Sequence, residues 1–208
     1  MRRRKGLDAV RGLLMKVILA STSPRRKELL AGICKDFICI PARREERTSK
    51  HTPEEIVCRL SEKKALDVEE QIKPEDDMLI IGSDTVVANE GEILGKPGDK
   101  DDARRMLLEL QGHTHDVFTG VSFILYREGS RRVRTFFEKA SVTMYPMSEE
   151  QIDVYVETGE PMDKAGAYAI QGKCAVYIQR VEGEYNTVVG LPIARLYQEL
   201  LKEGIVLC

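Results

Sequence analysis

Several devices that would name an enzyme class at once are missing from this chain. It contains no GxxxxGK[ST] phosphate loop, no GxGxxG turn after a strand, no HExxH helix and no GxSxG nucleophile elbow. P-loop nucleotidases, dinucleotide-binding oxidoreductases, zincin proteases and serine hydrolases of the α/β type therefore drop out. Nor does it have a close CxxC pair: the five cysteines, Cys34, Cys39, Cys58, Cys174 and Cys208, are odd in number and scattered. That pattern argues against a disulfide framework and a zinc site, and it suits a reducing cytoplasm. The three histidines, His51, His113 and His115, are not spaced as a metal cluster, and the alternate pair reads as surface residues of a strand. A metal acting here would have to be held by carboxylates, which favours Mg²⁺ or Mn²⁺.

Large charge excess is absent too. A formal net charge of -2 offers no general attraction to polymeric nucleic acid or to an anionic membrane, so any bound anion must be met by local positive charge. The basic Met1–Lys5 segment and the apolar Leu13–Ala20 run have the outline of a signal peptide, but Arg11 and Lys16 interrupt it. It falls short of the about 20 apolar residues that a bilayer requires. The plainer expectation is a basic extension over residues 1–14 and a single domain over 15–208. With 42% hydrophobic and 32% charged residues, such a domain can bury an ordinary core.

Periodicity and capping signals predict a mixture of helices and strands. Lys16–Ala20 reads as a strand, Ser21–Ser23 as a loop, and Pro24–Ala31 as a helix capped by Ser23 and stopped by Gly32. A short strand follows at Phe37–Ile40. Thr52 and Pro53 open a second helix, and Met78–Ile81 forms a buried strand with Gly82–Thr85 at or just past its end. A hairpin over Val86–Leu94, a helix capped by Asp99, and long strands at His115–Tyr126 and Arg132–Met144 come next. Ser148 opens a capping-box helix, residues 163–172 form an irregular loop, Cys174–Gln179 and Tyr185–Val189 return to strand, and Leu191–Pro192 starts the last helix. The fold class is α/β, or mixed α+β.

Chemistry concentrates at a few points. In Ser21-Thr22-Ser23-Pro24-Arg25-Arg26, hydroxyls, free N–H groups at a helix start and two guanidiniums converge, an arrangement that attracts phosphate. The same residues also make a capped helix with surface arginines, and both readings stand on sequence alone. Asp84 follows a buried strand, where ligands of open α/β sheets gather; the alternative is a turn aspartate bonding its own backbone. Lys64 and Lys96 could each bring a point charge to a polyphosphate, as solvated lysines also could by chance. Glu45 and Glu46 lie in a polar segment, either joining Asp84 at a metal or standing as exposed loop acids.

Taken in order, these segments resemble the Maf family of nucleoside triphosphate pyrophosphatases. The matching stretches are Ile18–Arg26, Glu45-Glu46, Lys64-Ala65, Gly82–Val87, Leu94–Pro97, Glu160–Gly172 and Gly190–Pro192. The form Asp163-Lys164-Ala165-Gly166-Ala167-Tyr168, followed by Ile170-Gln171-Gly172, is similar to the branch acting on dTTP and UTP. The resemblance implies an elongated mixed β-sheet flanked by helices, with two lobes around a central cleft as in the ITPase-like fold. It further implies hydrolysis of dTTP and UTP, with CTP or modified pyrimidines as further candidates, to the monophosphate and pyrophosphate.

On that likeness Asp84 is the general base, Glu45 and Asp84 hold Mg²⁺ or Mn²⁺, and Lys64, Lys96, Arg25 and Arg26 neutralise the triphosphate. Ser21 or Ser23 bonds a phosphate, while Arg25, Thr85 and Gln171 carry selectivity. Gln171 is chemically apt because an amide can accept from N3–H and donate to a carbonyl of uracil or thymine. A homodimer is implied as well, although no apolar pattern in the sequence demands one. Departures from the family pattern are Ala169 in place of the usual glycine, Ser83 before the aspartate in place of alanine, and the Arg43-Arg44 pair. The rival readings are a nucleotide-binding regulator of septum formation without turnover and a phosphohydrolase that releases orthophosphate.

Overall fold

The computed structural model describes residues 15–43 and 48–207. Its elements are β1 (Lys16–Ala20), α1 (Pro24–Ala31), β2 (Phe37–Cys39), α2 (Pro53–Gln71), β3 (Met78–Asn89), β4 (Glu92–Leu94), α3 (Lys100–Leu110), β5 (Thr114–Arg127) and β6 (Ser130–Met144). They are followed by α4 (Glu149–Glu157), three short 3-10 turns, β7 (Ile178–Glu182), α5 (Tyr185–Val189) and α6 (Ile193–Lys202). One mixed sheet runs in the order β2-β1-β3-β5-β6-β7, with β4 hydrogen-bonded to β3 off that path. β1 is parallel to β2 and β3, and the remaining pairs are antiparallel.

Strand alternation divides the core. Leu79 and Ile81 of β3 face α1 and α6, joining Leu30, Phe123, Leu196 and Leu200, whereas Ile80 faces α2 with Ala65 and Val68. At the far end of the long strands a third cluster gathers Leu107, Leu110, Met144, Ile152, Tyr155 and Tyr168. These clusters mark two lobes, joined by β3, β5 and β6, and the mixed α/β class expected from the sequence is what forms.

Close packing of α2 on the sheet depends on two glycines. A Cβ at Gly82 would strike the Ser61 carbonyl oxygen and the Ala65 amide, and one at Gly120 would strike the Val57 carbonyl. Glycine inside a strand here allows another backbone to approach, which is one of its ordinary uses. As a result the buried stripe of α2, which includes Val57, Leu60, Ser61, Lys64, Ala65 and Val68, lies directly on the sheet.

Local signals held where caps were specific. Thr52 accepts from the Glu55 amide, Asp99 from the Asp102 amide, and Ser148 with Gln151 completes a capping box. Other expectations are corrected. β3 continues without a break from Met78 to Asn89, so Asp84 sits in mid-strand and is not a turn residue. Gly82–Thr85, expected at or just past the strand end, lies inside it, and the glycine serves helix approach. Residues Lys173–Tyr177 form a 3-10 turn before β7, and Tyr185–Val189 is helical in spite of its β-branched content. Tertiary bonds override that propensity: the Thr119 hydroxyl donates to the Thr187 carbonyl at 2.7 Å, and Gly190, at φ 119°, closes the turn. The stretch 163–172 is partly ordered by 3-10 turns at Glu160–Asp163 and Ala165–Ala167. Gly32 stays right-handed at φ −69°, Ser23 makes no side-chain cap bond, and His115, expected at the surface, is buried.

Candidate active site

The register of β3 creates an opening. β1 pairs with it only as far as Ala20 opposite Gly82, and β4 begins only at Val87 opposite Leu94. Between them, residues 83–86 keep β5 on one side but have no strand neighbour on the other among the described residues. A cleft of about 520 Å³ occupies this gap between the lobes. Its volume lies in the range of small-molecule sites.

Asp84 and Lys64 line the cleft from the α2 side. Lys64 is the one cation on the buried stripe of α2, and its Nζ donates to Asp84 Oδ1 at 2.7 Å, with the side chains 10% and 7% exposed. Burying two charges is expensive, and such a pair persists when its partners are in place. The close contact at Gly82 sets the depth of α2 and hence this distance.

The turn before α1 supplies the facing wall. Ser21, Ser23, Arg25 and Arg26 all line the cleft there, and the Ser21 hydroxyl accepts from the Ser23 amide at 3.1 Å. Arg26 is fixed: its Nε donates to the Gly190 carbonyl at 2.8 Å and its Nη2 to the Thr85 hydroxyl at 3.1 Å. Thr85 also meets Thr119 at 2.9 Å, and Ser83 donates to the same Gly190 carbonyl at 2.8 Å. A Cβ at Gly190 would come within 3.3 Å of both Arg26 Nε and Thr85 Oγ1. Arg25 reaches the other lobe, with Nη1 3.7 Å from Asp163 Oδ2.

Lys96 lines the cleft from an exposed position after β4. Opposite lie Lys164, Ala165, Tyr168, Ala169 and Ile170. Tyr168 Oη is 2.8 Å from His115 Nε2, and the two rings meet edge to face. Burial lowers His115 to a pKa of about 4 against the weaker opposing pull of Asp116, and burial pushes Tyr168 far above the usual phenol range. The imidazole is thus neutral at pH 7, and its Nδ1 is buried without a hydrogen-bond partner among the described residues.

Most of the residues singled out in the sequence therefore converge. Gln171 does not: it is exposed and lies outside the lining, next to Ile170. Glu45 and Glu46 lie outside the described residues, as does Arg44 of the arginine pair. No group of three or more potential metal-binding side chains occurs among the described residues.

The Maf-like protein family matches residues 16–203. The chain belongs to this family. Among its Maf relatives are proteins named dTTP/UTP pyrophosphatase from Agathobacter rectalis, 49% identical and covering 92% of this chain and 99% of the relative, and from Lachnoclostridium phytofermentans, 50% identical with 92% and 97% covered. A third of the same name, from Carboxydothermus hydrogenoformans, is 46% identical over 91% of this chain and all of the relative. The Staphylococcus aureus Ham1 protein aligns at a TM-score of 0.46 with 13% identity, covering 91% of this chain and 100% of that one.

Other cleft residues of this Maf chain were not singled out as site residues from the sequence. Lys164 and Tyr168 stood in the 160–172 motif without a role, whereas Val188 and Val189 gave no signal because their segment read as a strand.

Proposed function

We propose that this chain is a nucleoside triphosphate pyrophosphatase that hydrolyses dTTP and UTP, with CTP or modified pyrimidine nucleotides as further candidate substrates, to the monophosphate and pyrophosphate. The observation that carries the reading is the buried Lys64–Asp84 pair on the open edge of β3, facing the hydroxyls and guanidiniums of the α1 turn. The names of the relatives support the substrate class. Residues 15–208 form the catalytic unit in this reading, and residues 1–14 are an appended basic segment. The free Cys34, Cys39, Cys58 and Cys174 accord with a cytoplasmic location, and no described helix is long and apolar enough to cross a membrane.

Hydrolysis between the α and β phosphates requires a water aimed at the α phosphorus, a base for its proton, and positive charge for the departing pyrophosphate. Asp84 takes the proton in this scheme, and Lys64 fixes the orientation of its carboxylate through Oδ1. Arg25 and Lys96 draw the triphosphate into the cleft and spread its charge. Arg26, held by Thr85 and Gly190, presents a guanidinium that needs no reorganisation when the substrate arrives. Ser21, Ser23 and the helix start behind them receive a phosphate.

A divalent cation fits this donor set. Mg²⁺ is commonly held by one or two carboxylates together with substrate phosphates, and Asp84 provides one such oxygen donor in the cleft. Asp84, with Glu45 as its sequence-predicted companion, would hold the metal. When bound, the ion supplies charge stabilisation to the phosphoryl oxygens.

The deciding experiment incubates the purified protein with Mg²⁺ or Mn²⁺ and a panel of dTTP, UTP, CTP, GTP and 7-methyl-GTP, resolving nucleotides and measuring pyrophosphate and orthophosphate separately. Monophosphate and pyrophosphate from dTTP and UTP are expected. Orthophosphate with a diphosphate would overturn the cleavage position, and tight binding without turnover would transfer the assignment to a nucleotide-binding regulator.

A further inference from the structure

Ile170 and Gln171 occupy the centre of a turn closed by the Gly172 amide, which donates to the Ala169 carbonyl at 3.1 Å. Ile170 lines the cleft, so the position of this turn shapes the wall facing the cationic side. Neither a sheet ladder nor a regular helix holds it. Its two ends are pinned instead by one pair of side chains from outside the cleft. The hydroxyl of Tyr155, on α4 and only 4% exposed, accepts from the Ala169 amide at 3.1 Å and donates to Glu160 Oε1 at 2.9 Å. The same carboxylate accepts from the Lys173 amide, at 2.9 Å to Oε1 and 3.2 Å to Oε2. A Cβ at Gly172 would strike the Glu160 carboxylate, so a side chain there would push that carboxylate from its place.

We propose that Tyr155 and Glu160 are positioning residues that clamp the Ala169–Gly172 turn and thereby set discrimination among nucleotide bases, a proposal resting on the pyrophosphatase reading above. The phenol both accepts and donates, so removing its oxygen releases the leading end of the turn and weakens the hold on the trailing end. Burial keeps that phenol above its usual range, so it remains a donor at neutral pH. Because neither side chain lines the cleft, the chemistry at Asp84 stays in place when they change.

The test compares Tyr155→Phe, Glu160→Gln and Glu160→Ala in the full chain, reading kcat and KM for dTTP, UTP and GTP together with the melting temperature. Expected for Tyr155→Phe is a rise of about tenfold in KM for dTTP and UTP and a matching loss of preference over GTP, with kcat within about twofold. Glu160→Gln, which keeps one acceptor oxygen, should fall between the wild type and Glu160→Ala. Unchanged KM and base preference in both Tyr155→Phe and Glu160→Gln, or a loss confined to kcat, overturns the clamp. Should Tyr155→Phe fail to fold, the Glu160→Gln result decides alone. A wild-type protein that releases no pyrophosphate from any triphosphate sinks the functional reading instead; the clamp is then judged by the relative binding of UMP and GMP to the same variants.

Discussion

On the α2 side, the cleft is walled by regular structure: a strand paired over eleven registers with β5 and a helix pressed onto it at two glycines. The opposite wall, residues 160–173, is a succession of 3-10 turns whose position depends on side chains reaching the backbone from a distance. The first wall places charges, because a sheet and a helix can hold a lysine and a carboxylate at 2.7 Å with little freedom to relax. The second places shape, presenting Ala165, Tyr168, Ala169 and Ile170 to the cleft beside the ion-paired Lys164. On the proposed function, catalysis and selection fall to different kinds of backbone.

The largest effect should come from removing the carboxylate of the regular wall. Asp84→Asn preserves volume and an oxygen for Lys64, yet it cannot take a proton from water, and turnover is expected to fall about 10²–10⁴-fold with the fold retained. Near-normal kcat in a folded variant with intact metal dependence would remove Asp84 from the base role and leave the Lys64 pair a structural feature.

Next in size is a stability effect where β5 meets the irregular wall, at His115 against Tyr168. His115 binds no proton when folded until the pH falls to about 4, but its unfolded value is near 6.5. The folded pKa of this base is lowered, so its contribution is fully present above about pH 6.5 and is lost as the pH falls toward 4. The loss amounts to about 3 kcal/mol between pH 7 and pH 4. Urea unfolding at both pH values should show that decrement in the wild type and a smaller one in His115→Gln, which cannot titrate in this range. Equal decrements in the two proteins would mean that other groups, Asp116 and the paired glutamates among them, account for the acid sensitivity.

A third change strikes the regular wall through packing alone. Gly82→Ala puts a methyl against the Ser61 carbonyl and the Ala65 amide, on either side of Lys64 in α2, and should cost roughly 1–3 kcal/mol of stability. It should also lower kcat, since α2 cannot retreat without drawing Lys64 away from Asp84. A destabilised variant with full kcat at low temperature would show that the ion pair tolerates the displacement.

The same contrast explains what could be read from the sequence. Capped helices and buried strands announce themselves in short windows, so Thr52, Asp99 and Ser148 marked their helices, and the Lys16–Ala20 and Met78–Ile81 runs marked the middle of the sheet. Ordered likeness to the Maf family singled out Ser21, Arg25, Arg26, Lys64, Asp84, Thr85 and Lys96, all of which reach the cleft. What escaped depends on partners far along the chain. Gly82 read as the end of a strand or just past it because nothing local shows that α2 will lie on it. Tyr185–Val189 looked like a strand because the bonds from Thr119, Ser83 and Arg26 to the segment and its closing glycine come from up to 164 residues away. His115 looked exposed because its acceptor or donor, Tyr168, lies 53 residues on.

The smallest effect concerns a residue that joins the sheet to the far end of the chain. Ser83 precedes Asp84 on β3, and its hydroxyl donates to the Gly190 carbonyl at 2.8 Å. Ser83→Ala leaves that carbonyl the Arg26 Nε bond, also at 2.8 Å, so no buried acceptor is orphaned. The expected cost is therefore about 1 kcal/mol, the ordinary value of one neutral hydrogen bond, with KM and kcat unchanged. A rise in KM would show instead that Arg26 shifts when it alone must hold Gly190, and that the hydroxyl in this chain tunes the guanidinium facing the triphosphate. Arg26→Lys in the Ser83→Ala background separates the two outcomes: additive losses in stability mean independent ties, and an excess loss means that serine and arginine act on Gly190 as one unit.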